Sequence, residues 1–167
     1  MENAPGREFH TARRLICSYA FRMTKAPIPA ERAQEGAAPR SLRVLVADDD
    51  RDFTLSLTKL LSIAGYDARG VNSPLQVQEA MLGFAPDVVL LDISMPGRSG
   101  FDVAHELRNV YGQARPVLVA VTGRTMERDR RIARMAGIDH YVTKPYNPDA
   151  LVDLLQSIAS GRSAPQL

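Results

Sequence analysis

Arg43-Val44-Leu45-Val46-Ala47-Asp48-Asp49-Asp50 is the stretch that decides how this chain is read. A short apolar run enters three consecutive acids, the pattern of a strand ending at a polar edge. Val88-Val89-Leu90-Leu91 runs into Asp92 in the same way. If the two strands are parallel neighbours, Asp48, Asp49 and Asp92 meet at one carboxyl edge, where open α/β sheets bind their ligands. Crowded carboxylates repel one another and need a cation or a shared proton. A few hard oxygen ligands suit Mg²⁺, which uses one or two carboxylates and keeps several waters. The expected site is a divalent-metal site beside one more reactive aspartate.

Working outward, short apolar runs alternate with helical patterns from Ser41 onward, which predicts repeated βα units. Leu57, Leu60, Leu61 and Ala64 share a helical stripe over residues 52–64, stopped by Gly65. Residues 66–71 predict a weaker second strand. Ser73-Pro74 supplies an N-cap and a first-turn proline for a helix through Leu82. Residues 87–91 predict the third strand, 101–111 the third helix, and 117–121 the fourth strand after Pro116. A basic helix over 125–136 ends at Gly137, a fifth strand covers 139–143, and Asn147-Pro148 caps a last helix running to about residue 160. Strict alternation predicts an α/β, doubly wound, five-stranded parallel sheet with five helices. Right-handed crossovers favour the order 2-1-3-4-5, a flavodoxin-like three-layer sandwich.

The 167 residues fit one domain, predicted over 41–161, with an N-terminal extension over 1–40 and a tail over 162–167. The net charge of +2 conceals a split. Residues 1–40 hold 7 Lys/Arg against 4 Asp/Glu, and residues 41–167 hold 14 against 15, a balance that does not suggest bulk nucleic-acid binding. Residues 9–23 could form one short helix, although the extension reads as a flexible leader, and Met23 is a candidate translation start. Cys17 is the single cysteine, so no intramolecular disulfide forms and a reducing, cytoplasmic setting is expected. No apolar run is long enough to span a bilayer, and no secretory signal is evident.

Two further polar residues fall on the same edge: Thr122 after the fourth strand and Lys144 after the fifth. Asp48, Asp49, Asp92, Thr122 and Lys144 together could accept a phosphoryl group. A carboxylate can attack phosphorus to give an acyl phosphate, a metal can neutralise the oxygens, and lysine and threonine can supply charge and a hydrogen bond. The set resembles the receiver domain of two-component response regulators, the CheY-like family. The resemblance covers about residues 42–160 and rests on the acidic stretch above, on Leu91-Asp92-Ile93-Ser94-Met95-Pro96-Gly97-Arg98-Ser99-Gly100, on Val121-Thr122-Gly123 and on Tyr141-Val142-Thr143-Lys144-Pro145. It implies that Asp92 is the phosphoacceptor, taking phosphate from a kinase histidine. It also implies Mg²⁺ held by Asp49, Asp92 and the Ser94 carbonyl, with Asp48 acting largely through water. Thr122 and Lys144 would contact the phosphoryl group, Thr122 and Tyr141 would form the switch, and the Lys144-Pro145 bond would be cis.

Blander readings exist for each residue. The three acids could cap a helix, Asp92 could be a turn residue, Lys144 a solvated charge and Tyr141 a half-buried strand aromatic. Their joint placement at strand ends argues against coincidence. His10, His105 and His140 share no ligand spacing. A haloacid-dehalogenase-like phosphatase would place Asp-x-Asp and a following Thr on the first strand, whereas Arg51-Asp52 follow here. The expected partners are a histidine kinase or histidine phosphotransfer protein, and a protein reader at the basic helix 125–136, the fifth strand and the last helix. No direct nucleic-acid or membrane contact is expected. With six residues beyond Gly161, a stand-alone regulator is the expectation, and an intermediate phosphate carrier or sink the alternative.

Overall fold

In a computed structural model, which describes residues 41–112 and 116–161, the apolar runs become five parallel strands joined by helices. In chain order these are β1 (Arg43–Ala47), α1 (Arg51–Ile63), β2 (Asp67–Val71), α2 (Pro74–Gly83), β3 (Val88–Leu91), α3 (Gly100–Tyr111), β4 (Val117–Thr122), α4 (Glu127–Met135), β5 (His140–Thr143) and α5 (Pro148–Ala159). The sheet order is β2-β1-β3-β4-β5, as the crossover argument predicts. The readings of residues 1–40 and 162–167, including a helix over 9–23, lie outside the described residues.

The two-residue period of the strands divides the core into two layers. Leu45, Val89, Leu91, Leu118 and Ala120 face Val77 and Met81 of α2, Val103 and Leu107 of α3 and Ala133 of α4. Val44, Val46, Val88, Leu90, Val119, Val121 and Val142 face Leu57 and Leu61 of α1 and Leu151, Leu154 and Leu155 of α5. Covered on both faces, β1, β3 and β4 are apolar apart from Arg43 at the start of β1 and Thr122 at the end of β4. The edge strand β2, Asp67-Ala68-Arg69-Gly70-Val71, is mostly exposed and carries charge, which discourages pairing with another chain.

Local signals set the helix starts. The Asp50 side chain accepts from the Asp52 and Phe53 amides, Ser73 from Gln76, Ser99 from Phe101 and Asn147 from Asp149. Most element ends lie a residue or two from expectation, and two of these shifts have a visible local cause. β4 runs on through Thr122 because its carbonyl accepts from Lys144 N–H at 2.8 Å, extending the ladder to β5. α4 starts at Glu127 rather than 125, because Met126 is extended and offers no side-chain cap.

Arg108 of α3 has a role its sequence position did not reveal. It is buried, and its guanidinium donates to the carbonyls of Gly137, Gly112 and Pro116 and to Asp139 Oδ2. Asp139 Oδ2 also accepts from Leu118 N–H at 2.8 Å. Gly137 has φ of +84°, and a Cβ there would stand 2.5 Å from Arg108 Cγ, so glycine is required both to end α4 and to admit the arginine. The network joins α3, β4 and the α4–β5 turn at the end of the sheet opposite the acids. Arg108→Ala should cost about 3 kcal/mol or more, because it strands several acceptors and a charge. Urea unfolding measures this, and a loss under about 1 kcal/mol would mean that water replaces the guanidinium readily.

Candidate functional site

Parallel register brings the polar strand ends together. Ala47 pairs with Leu91, Leu91 with Ala120, and Thr122 with Thr143, so the residues that follow share one rim. Asp92 N–H donates to the Ala47 carbonyl at 2.8 Å, laying β3 beside the start of the acidic run. One carboxylate oxygen from each of Asp48, Asp49 and Asp92 lies within 4.8 Å of the others. Gly100 allows the first turn of α3 to press on this edge, since a Cβ there would collide with the Asp92 carbonyl oxygen.

The acids have different surroundings. Asp48 and Asp92 are 3% and 6% exposed, while Asp49 faces solvent. Lys144 Nζ lies 2.5 Å from Asp48 Oδ2 and 3.9 Å from Asp92 Oδ1, so one cation serves both buried carboxylates. Asp48 Oδ1 accepts from Asp50 N–H at 3.0 Å, which engages its second oxygen. Asp92 Oδ2 accepts from Ser94 N–H at 3.1 Å. Burial pushes the Asp92 carboxyl above its ordinary value, and Asp48 adds to this. Lys144, the Ser94 amide and the Thr122 hydroxyl pull it the other way. Thr122 is fully buried beside Asp92, and Lys144-Pro145 is cis.

A supporting layer was not read from the sequence. Asn72 Nδ2 donates to the Asp48 carbonyl at 2.8 Å and to Thr54 Oγ1 at 3.0 Å, and Thr54 Oγ1 donates to the same carbonyl. The ring of Phe53 lies 4.1 Å from Lys144 Nζ and contacts Tyr146 edge-on. These residues come from loops and helices with no shared spacing, so only the signal of a polar Asn after β2 was available. Tyr141 is the strand aromatic that the resemblance pairs with Thr122 as the switch. It is buried here, its hydroxyl donating to the Arg124 carbonyl at 2.9 Å and its ring 4.9 Å from the Arg130 guanidinium. Met126 and Met135 are 70% and 79% exposed, so they lie outside the core, and His105 and His140 stay apart from the acidic cluster.

Three convergent carboxylates with no Cys or His among them form a hard oxygen donor set that fits Mg²⁺. Both Asp48 oxygens are engaged and Asp92 Oδ2 is held by the Ser94 amide, so the solvent-facing Asp49 is the most open of the three. The same edge offers a nucleophilic carboxylate, a lysine and a buried hydroxyl within reach of one another, the parts needed to bind and transfer a phosphoryl group.

The raised pKa of Asp92 has a consequence for stability. A carboxyl whose folded pKa exceeds its unfolded one favours folding when protonated, and that contribution is lost as pH rises through the folded pKa. Asp92→Asn removes the buried charge and should therefore raise the melting temperature at pH 7 in chelator-treated buffer. The gain should shrink on acidification, as the aspartate itself takes up its proton. Melting curves from pH 7 downward check it, and a variant less stable than the parent at pH 7 would contradict the sign.

A family model described as the response regulator receiver domain matches residues 44–156. The DNA-binding response regulator MtrA of Mycobacterium tuberculosis (strain ATCC 25618 / H37Rv) is 36% identical over 110 residues, which is 66% of this chain and 47% of that protein. The transcriptional regulatory protein CpxR of Klebsiella pneumoniae is 34% identical over 116 residues, 70% of this chain and 48% of that protein. The chain thus spans about half the length of the curated relatives it matches. A CheY-like receiver domain protein from Methanospirillum hungatei JF-1 is similar with a TM-score of 0.68 at 21% identity, over 73% of this chain and 96% of that one. Chemotaxis response regulator CheY4 of Vibrio cholerae gives 0.66 at 22% identity, over 71% and 99%. At such identities the structures speak for the fold, and that fold agrees with the family model. With the acidic cluster, Thr122 and Lys144 gathered on one rim, the chain belongs to the response regulator receiver domain family.

Proposed function

We propose that this chain is a signalling receiver in which Asp92 accepts a phosphoryl group from a phosphohistidine of a histidine kinase or histidine phosphotransfer protein. An Asp92 carboxylate oxygen attacks phosphorus, the P–N bond breaks, and the imidazole nitrogen leaves with the electron pair and takes up a proton. The observation that carries this reading is a buried Asp92 sharing Lys144 with Asp48 while Asp49 faces solvent. Lys144 offsets charge on the phosphoryl oxygens and the Thr122 hydroxyl donates to one of them. Mg²⁺, held by Asp49, Asp92 and the Ser94 carbonyl with Asp48 acting through water, would neutralise the remaining phosphoryl charge.

Output is assigned to protein contacts at α4, β5 and α5. Arg128, Arg131 and Arg134 are exposed on α4, and Met126 and Met135 flank them with exposed apolar surface. An acidic protein face with an apolar strip fits that chemistry, and its binding should weaken with salt. Tyr141 and Thr122 connect this face to the phosphoryl pocket, and a stand-alone role is preferred to a phosphate sink because the exposed cationic face offers a reader a surface.

Incubation with acetyl phosphate and Mg²⁺ should add one phosphate per chain by intact mass, and Asp92→Asn should abolish it. Full labelling of the Asn variant would rule out Asp92 as acceptor. Asp49→Ala should fold but raise the Mg²⁺ concentration needed for labelling more than about tenfold; an unchanged Mg²⁺ dependence would remove Asp49 from the ligand set. Replacing Arg128, Arg131 and Arg134 together by Glu should leave labelling intact while abolishing output in the cell, and retained output would move the reader to another face.

A further inference from the structure

Arg124, in the loop after β4, touches three parts of the molecule at once. Its Nε lies 3.4 Å from Ser94 Oγ, on the rim whose Ser94 amide holds Asp92. Its NH1 lies 3.3 Å from Asp129 Oδ1 in the first turn of α4. Its backbone carbonyl accepts the Tyr141 hydroxyl at 2.9 Å. The two ends of the ion pair are unequal: the Arg124 side chain is 49% exposed and the Asp129 side chain 12%. A half-exposed cation is therefore tethered to a nearly buried acid.

A phosphoryl group on Asp92 adds negative charge and three acceptor oxygens to a pocket whose lysine is already shared by two carboxylates. The Arg124 guanidinium stands at the edge of that pocket and presents a planar fork suited to phosphoryl oxygens. We propose that Arg124 is a phosphoryl-binding residue of this site and that Asp129 is its positioning residue, holding the guanidinium at the rim until a phosphoryl group on Asp92 takes it over. This rests on the phosphoacceptor reading of Asp92 and deepens it. When the guanidinium moves, the Asp129 carboxylate loses its cation in a nearly buried position. The first turn of α4, which also places Arg130 over the Tyr141 ring, then has a reason to rearrange. Charge at the strand edge is thereby coupled to the surface of α4 through one side chain, with Tyr141 anchored to the same residue's backbone.

Beryllofluoride titration of the whole chain at saturating Mg²⁺, followed by amide NMR shifts, reads the pocket's affinity for a phosphoryl-shaped anion. Arg124→Ala should weaken it about tenfold, the scale of a lost hydrogen bond to a charged group. Arg124→Lys should recover only part, because it restores charge without the fork. Asp129→Asn should tighten binding severalfold by removing the competing carboxylate, an effect in the opposite direction from loss of a structural contact. It should also mute the beryllofluoride-dependent shifts in α4. Equal affinity of the parent and Arg124→Ala, or weakened binding in Asp129→Asn, would overturn the proposal. Should the parent bind no beryllofluoride and take no phosphate from acetyl phosphate, the phosphoacceptor reading fails and this inference with it. A parent that is labelled normally but matched by Arg124→Ala removes only the Arg124 assignment.

Discussion

Repulsion between two buried carboxylates, held in check by Lys144, is the interaction on which this molecule's chemistry depends. Asp48 and Asp92 end adjacent parallel strands and are almost fully buried, a placement that is costly without a counter-charge. Lys144 reaches both from the end of β5, two strands away from β3. The sheet order therefore decides more than shape, because it sets which cation meets which acid. Three carboxylates against one lysine leave the rim receptive to a cation, and the pKa of Asp92 is raised mainly because the carboxylate is buried, with Asp48 adding a smaller push.

The rim is held by groups that do no chemistry. Asn72 and Thr54 fix the Asp48 carbonyl, Asp50 caps α1 and at the same time donates its amide to Asp48, and Gly100 lets α3 lie against Asp92. At the far end of the sheet, Arg108 binds three carbonyls and Asp139 and so ties down the turn from which β5 begins. Lys144 stands at the other end of that strand.

The loop between β4 and α4 differs in character. It lacks a side-chain cap at Met126, starts its helix late, and spends its polar groups on tertiary contacts: Arg124 with Ser94 and Asp129, and the Arg124 carbonyl with Tyr141. A helix start without a side-chain cap is more easily shifted than the doubly covered strands β1, β3 and β4. The cationic, methionine-flanked face of α4 follows directly after this loop.

Strand identity, sheet order and the acidic edge were legible in the sequence because each depends on short-range pattern: apolar runs of strand length, turn residues at helix ends, and acids directly after two of those runs. Asp48, Asp49, Asp92, Thr122 and Lys144 could be gathered on one rim once parallel pairing was assumed, since every strand of such a sheet ends at the same edge. The sequence did not reveal partnerships between residues far apart along the chain and without common spacing. Arg108, Asn72 and Asp129 carry no spacing or motif that marks them out in the sequence. Tertiary structure alone decided that Arg108 is buried on four acceptors, that Asn72 braces Asp48, and that Asp129 holds Arg124. Tyr141 belongs with them, because the alternation of a strand places its side chain on one face, while only the packed β4–α4 loop offers the carbonyl that keeps it inside.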